Sequence, residues 1–117
     1  MDEFLILMRL DIITKEAQPS PEQMQGYMKK YQEWVNGIIA ENKFVGGTGL
    51  STEGKVIKQN SIVTDGPFAE IKESIAGFIT IKADDFEDAV RIAKGCPILL
   101  GAGNSVEVRK IIGVHEN

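Results

Sequence analysis

The N-terminal segment from Glu3 to Leu10 is an almost continuous run of apolar residues. The run is too short for a capped helix, so it predicts a β-strand. Polar residues do not alternate with the apolar ones, which is typical of a strand buried on both faces. We therefore expect this strand to lie in the centre of its sheet.

The next apolar segment begins with the signals of a helix start. Ser20 can serve as the N-cap, Pro21 as the first helical residue, and Gln23 follows three residues after the cap. We expect this helix to run to about Asn42. Its apolar residues recur at steps of three and four, which predicts one stripe packed against a sheet. The stripe consists of Met24, Tyr27, Met28, Tyr31, Trp34, Val35, Ile38 and Ile39.

Three glycines, Gly46, Gly47 and Gly49, interrupt the apolar segment that follows the helix. A phosphate-binding loop would need a Lys-Ser/Thr pair at the head of another helix, whereas here a turn-like segment follows at 51–54. We therefore interpret the glycines as allowing a bent strand or a close approach of two backbones.

The second half of the chain repeats the pattern of strand, helix and strand. Short extended pieces at 55–59 and 61–63 precede a firmer strand at 76–82. Asp84, with Glu87 three residues later, predicts the start of a second helix that ends at Gly95. The inward face of that helix is expected to comprise Phe86, Ala89, Val90 and Ala93. A last strand is expected at 105–112, followed by a tail.

The order of these elements predicts the fold. Strand, helix, strand, hairpin-like excursion, strand, helix and strand match the split βαβ repeat of the ferredoxin-like arrangement, an α+β fold. We predict an antiparallel sheet with both helices on one face. Two helices cover only that face, and exposing the apolar strands to water would be unfavourable. We therefore predict a homodimer.

Side chains on the last strand alternate between the two faces of the sheet. Val106, Val108 and Lys110 share one face, and the two valines are expected to meet the helices. Glu107 and Arg109 then share the other face, about 7 Å apart along the strand. A covered pair of charges must bond to each other or to a ligand, so this pair is either a structural salt bridge or part of a polar pocket.

Composition and charge narrow the class of protein. A chain of 117 residues that is 43% hydrophobic suits a single domain over residues 1–117. The net charge of −4 and the scattered lysines and arginines offer no basic surface, so we expect no direct contact with nucleic acid.

The cysteine content and the hydropathy of the sequence indicate in which cellular compartment the protein is expected. The single cysteine, Cys96, excludes an internal disulfide, fits a reducing cytoplasm, and is expected to be buried and unreactive. No Cys/His cluster has zinc spacing, so neither a metal nor another cofactor is expected. The first residues form neither a basic signal segment nor a membrane span, and we expect no membrane attachment.

Candidate chemistry is concentrated in the segment 64–73, which reads TDGPFAEIKE. Asp65, Gly66 and Pro67 predict a turn. Three ionisable residues follow within the segment: Glu70, Lys72 and Glu73. No simple packing rule requires such a density of charge between two apolar strands, so the segment is either a site or a solvated loop.

Several stretches of the sequence together resemble a known family. They are Val63–Glu70 (VTDGPFAE), Lys72-Glu73 and Ser105–Arg109 (SVEVR), with Ser20–Glu22, Gly46-Gly47 and Cys96-Pro97 in support. In this order they resemble the YCII-related family, specifically its DGPF branch. The resemblance covers nearly the whole chain and implies a dimeric α/β barrel in which two sheets face each other.

The sequence departs from the family pattern at three points. Ile71 stands where a small polar residue is commoner, and Lys110 stands where the DGPF branch usually has proline. The only histidine is His115, close to the end of the chain. The His–Asp catalytic pair proposed for other YCII proteins therefore cannot be carried over directly.

One functional hypothesis is an enzyme without a cofactor. Asp65 would act as general base or acid, and Arg109 would bind a substrate oxygen, oriented by Glu70 or Glu107. The chemistry would be proton transfer, isomerisation or elimination on a small carbonyl or ring compound.

The competing hypothesis, which we favour, is a dimeric module that binds a small molecule or a protein partner. Asp65, Glu70 and Arg109 would then form a structural polar cluster that fixes the loop. Lys72 and Glu73 are further candidates for ligand binding or for anchoring that loop. The family resemblance also implies a regulatory role, since some members are associated with alternative sigma factors.

Overall fold

The computed structural model describes residues 1–11, 18–60, 63–66 and 74–113. Within these residues the chain forms six strands, two α-helices and a short 3-10 helix. Their bounds are β1 Asp2–Arg9, α1 Pro21–Ala40, β2 Phe44–Gly49, β3 Gly54–Ile57, β4 Val63–Gly66, β5 Ile75–Ala83, α2 Phe86–Ala93, the 3-10 helix Pro97–Leu100 and β6 Ser105–Lys110.

Four of the strands form one antiparallel sheet in the order β2-β5-β1-β6. This is the strand order of the ferredoxin-like split βαβ repeat, so the predicted fold and the central place of β1 are confirmed. Strands β3 and β4 form a separate antiparallel pair, which corresponds to the predicted hairpin-like excursion. Ile38 of α1 and Ile92 of α2 belong to the same core cluster as Phe4 and Ile79, so both helices pack on one face.

Strand β1 is buried on one face only. Phe4, Ile6 and Met8 lie in the core beneath the helices, whereas Leu5 and Leu7 on the opposite face are partly exposed. The prediction of a strand buried on both faces is therefore wrong for the single chain. No layer of the described residues covers the second face, which we call the helix-free face.

The two helix starts differ in how well the sequence predicts them. The Oγ of Ser20 accepts a hydrogen bond from the backbone N of Gln23 at 3.2 Å, and the Gln23 side chain accepts from the Ser20 backbone at 2.9 Å. The capping box is thus confirmed. The cap of α2 is Asp85 rather than Asp84, because the extended backbone of Asp85 lets its Oδ1 accept from Asp88 N at 2.8 Å.

The two halves of α1 pack differently. Val35 and Ile38 in the C-terminal half are buried, as predicted. Met24 and Met28 in the N-terminal half keep 43% and 52% of their surface exposed. The prediction that the whole stripe belongs to the core is therefore wrong for these two methionines and for Ile39, which is 52% exposed in the C-terminal half. Beneath the methionines, the sheet does not fill the space up to the helix.

None of the described helices is long and apolar enough to cross a membrane.

Candidate ligand-binding cavity

A cavity of about 290 Å³ lies between the N-terminal half of α1 and the sheet. Its walls come from α1, from the ends of β1, β2 and β5, and from the short 3-10 helix. The described residues that line it are Met8, Leu10, Gln18, Pro19, Met24, Tyr27, Met28, Tyr31, Gly49, Ala76, Gly77 and Ile98. The lining is predominantly apolar with a few polar groups, which is typical of small-molecule sites.

Two glycines that face each other border this space. Gly49 on β2 pairs with Gly77 on β5, and Gly77 pairs in turn with Met8 on β1. On the same face, the row two residues further along presents the buried side chains of Ile79 and Ile6. Because Gly49 has no side chain, the first row leaves volume open at β2, whereas the β2 backbone already occupies the space that a side chain on Gly77 would need.

The glycines of β2 and β5 therefore have different structural roles. A Cβ on Gly47 would lie 2.6 Å from the nearest Cα of β5, and one on Gly77 would lie 2.8 Å from the carbonyl oxygen of Thr48. The predicted close approach of two backbones is confirmed at Gly47, and Gly77, for which no such prediction was made, shows it as well. A Cβ on Gly49 would meet only the oxygen of Ala76, at 3.9 Å, so this glycine borders the cavity instead.

The polar groups of the described lining residues are neutral. Tyr27 and Tyr31 have raised pKa values, chiefly because burial disfavours the phenolate and secondarily because Cys96 lies nearby. Both phenols are therefore protonated at physiological pH and can donate hydrogen bonds. No charged side chain occurs among the described lining residues.

A second depression, of about 420 Å³, runs along the surface of α2. It is lined by Phe86, Glu87, Val90, Arg91 and Lys94. All of these residues belong to α2 or its C-terminal cap, so a single helix forms this groove. A molecule there would remain largely in water, and we therefore take the cavity beneath α1 as the candidate site.

Glu107 and Arg109 meet on the helix-free face, as the alternation along β6 predicts. The Arg109 guanidinium donates to Glu107 at 3.3 Å, and Arg9 of β1 donates to the same carboxylate at 3.2 Å. Hydrogen bonds from Arg109 and then Arg9 hold the pKa of Glu107 below its usual range. We call these three residues the arginine–glutamate cluster; it lies on the opposite face of the sheet from the cavity.

This cluster is open to solvent in the single chain, because 70% of the Arg109 side chain and 38% of the Glu107 side chain are exposed. It is therefore a salt bridge rather than a buried charged pair. The sequence analysis did not identify Arg9. Its only signal in the sequence is that it alternates with Leu5 and Leu7 onto the same face of β1.

The structure places Asp65 in β4, with its backbone paired to that of Lys55. The strand continues through Gly66, so the predicted turn does not begin at Asp65. The Asp65 side chain and all of Pro67 lie outside the described part of the chain. The same holds for Glu70, Lys72 and Glu73, so the roles assigned to these residues remain predictions.

A family model for the YCII-related domain matches residues 8–112. The chain belongs to the YCII-related family. The matched range contains every strand except the start of β1, both helices, the cavity and the arginine–glutamate cluster.

Solved structures include a similar chain, the 5-chloro-2-hydroxyhydroquinone dehydrochlorinase from Burkholderia phenoliruptrix AC1100, in a complex with 2,5-dihydroxybenzoquinone. It is 18% identical in sequence, and the match covers 98% of this chain and 99% of that one with a TM-score of 0.47. No curated protein sequence matches this YCII-related chain.

The last candidate groups are the thiol of Cys96 and any cluster of metal-binding side chains. Cys96 is 2% exposed, and burial raises the pKa of its thiol, which agrees with the predicted buried and unreactive cysteine. In the described part of this YCII-related chain, no group of three His, Cys, Asp or Glu side chains could hold a metal ion.

Proposed function

We propose that this YCII-related chain is a module that binds a small molecule in the cavity between α1 and the sheet. The observation that carries the proposal is the predominantly apolar space of about 290 Å³ beneath α1, which Gly49 borders without filling it. An apolar cavity of about half that size is large enough for benzene. The volume therefore suits a compound of one or two rings.

The lining also supports binding of more than one shape. Met8, Met24 and Met28 contribute flexible thioether side chains that can adapt to a ligand. Met24 and Met28 lie partly exposed at the outer side of the cavity, where they can move without disturbing the core.

A cavity-filling variant tests the proposal. Gly49→Leu places a side chain where a Cβ would meet only the Ala76 oxygen, at the ordinary contact distance of 3.9 Å, so it should occupy the cavity without backbone strain. Gly26→Leu is the matched control, because it adds the same side chain at an exposed position on α1 that does not line the cavity. Dissociation constants for acetophenone and benzoate, two single-ring compounds, are measured by NMR titration.

We expect Gly49→Leu to abolish binding of at least one of the two compounds and Gly26→Leu to leave it unchanged. Equal dissociation constants in the wild type and in Gly49→Leu for every compound that binds, or no binding of either, would overturn the proposal.

In this proposal Asp65, Glu70 and Arg109 form a structural polar cluster, and Arg109 already bonds Glu107. The acid/base enzyme, with Asp65 as its base or acid, is the alternative. Asp65→Asn separates the two, because it keeps the shape of the residue and removes its charge. Urea melts should show a loss of stability if Asp65 is structural, whereas unchanged stability would favour the enzyme.

We also propose that the protein is a homodimer in which two helix-free faces pair. Leu5, Leu7 and Phe78 support this, because they form a partly exposed apolar strip across the two central strands of that face. A second copy of the sheet would remove these side chains from water. A cytoplasmic location is part of the same proposal, supported by the single, reduced Cys96.

A further inference from the structure

Among the described residues that line the cavity, no side chain carries a positive charge. Among the described lining residues the polar side chains are Gln18, Tyr27 and Tyr31, and none of them carries a charge. The Gln18 amide already donates to the carbonyl oxygen of Asp11 at 2.9 Å. A carboxylate that entered this space would lose its hydration without gaining a cation from the described lining residues, and such a transfer is strongly unfavourable.

The two tyrosines offer hydrogen-bond donors instead. Neither phenol hydroxyl makes a hydrogen bond within the described part of the chain. A phenol is protonated at physiological pH even at its ordinary pKa of about 10, and burial raises the pKa of both groups further, so each hydroxyl is a donor. A donor in apolar surroundings gains most from a neutral acceptor, such as a carbonyl oxygen, that costs little to desolvate.

We infer that the cavity takes an uncharged ring compound that presents one hydrogen-bond acceptor to Tyr27 or Tyr31, and that it discriminates against the anionic counterpart. This inference rests on the proposed function and adds the chemical class of the ligand. Selectivity follows from the apolar walls, and orientation follows from the tyrosine hydroxyls.

Three single-ring probes of similar size separate these contributions. Acetophenone is neutral and has a carbonyl acceptor, benzoate is its anionic counterpart, and ethylbenzene has no acceptor. Their dissociation constants are measured by NMR titration at neutral pH in the wild type, in Gly49→Leu and in the double variant Tyr27→Phe/Tyr31→Phe. The double variant keeps both rings and removes both hydroxyls.

We expect acetophenone to bind the wild type at least about tenfold more tightly than benzoate. Its advantage over ethylbenzene, about fivefold for one net hydrogen bond, should disappear in the double tyrosine variant. Binding of all three compounds should be lost in Gly49→Leu.

The contrary outcomes are distinguishable. Benzoate binding as tightly as acetophenone, with both lost in Gly49→Leu, would overturn the ligand class and leave the proposed cavity in place. An advantage over ethylbenzene that survives in the double tyrosine variant would overturn the role of the hydroxyls. Binding of every probe that is unaffected by Gly49→Leu would overturn the proposed function itself.

Discussion

The carboxylate of Asp88 connects the end of α1 to α2. It accepts hydrogen bonds from Lys43 Nζ at 2.6 Å, from the Arg91 guanidinium at 2.8 Å and from the backbone N of Asp84 at 3.1 Å. The bond from Lys43 contributes most to holding the pKa of Asp88 well below its usual range, and only 14% of the side chain is exposed. Because folding stabilises the charged form, protonation of Asp88 must destabilise the fold.

We expect Asp88→Asn to lower the free energy of unfolding by about 1–3 kcal/mol at neutral pH. The folded pKa lies below the ordinary value of 3.8, so this stabilisation is present above that pH and is lost as the pH falls below it. Urea melts should therefore show a difference between wild type and variant that shrinks in acid.

Asp84→Asn is the control, because the Asp84 side chain makes no hydrogen bond within the described part of the chain. A difference for Asp88→Asn that is the same in acid and at neutral pH would contradict the assigned role.

Residues with a local signal can be predicted from the sequence, and those with a distant partner cannot. The Ser20 cap and the buried Cys96 follow from their immediate neighbours. Arg9 meets Glu107 across 98 positions of sequence, and only the register of β1 with β6 brings them together. The N-cap of α2 is Asp85, one position after the predicted Asp84, because its side chain accepts a hydrogen bond from the backbone N of Asp88 rather than from that of Glu87.

At the scale of elements, periodicity predicts which face turns inward but not what lies beneath it. The stripe of α1 is apolar along its whole length, yet its buried residues, Val35 and Ile38, lie in the C-terminal half, and Tyr27 in the N-terminal half is only partly buried against the core. The difference comes from the sheet, where Gly49 presents no side chain beneath the N-terminal half. Spacing along one helix carries no information about such a gap.

The close approach of β2 and β5 yields a prediction for Gly77→Ala. The added Cβ would lie 2.8 Å from the Thr48 oxygen and 3.1 Å from the Gly49 Cα, so the strands must separate. We expect a loss of about 1–3 kcal/mol in the free energy of unfolding, measured by thermal or urea denaturation.

Gly26→Ala is the matched control, since nothing lies within 4 Å of its Cβ position in α1. It should stabilise the chain by about 0.5–1 kcal/mol because alanine is the better helix former. Equal effects of the two substitutions would show that β2 and β5 are not in close contact at Gly77.

At the scale of the molecule, the order of elements was sufficient to predict the fold, because few topologies satisfy that order. The cavity was not predictable, because it depends on residues of different elements meeting in space. The DGPF segment illustrates the same limit, since its motif identifies the family but its side chains lie outside the described residues.

The proposed homodimer predicts a mass of twice the 12.9 kDa chain in static light scattering at micromolar concentration. Leu7→Glu should convert it to a monomer, because the new carboxylate would face Glu107 and the apolar strip of the helix-free face. Ile57→Glu, at an exposed position on β3, is the control and should remain dimeric. A wild type of 12.9 kDa would contradict the dimer.

The central claim is that the cavity beneath α1 binds a small uncharged molecule. Intermolecular NOEs from the methyl group of acetophenone, in a sample of wild-type chain saturated with the compound, test it most directly. We predict contacts with the side chains of Met24, Met28 and Tyr31, which line the cavity. NOEs confined to Leu5, Leu7 or other residues of the helix-free face would contradict it.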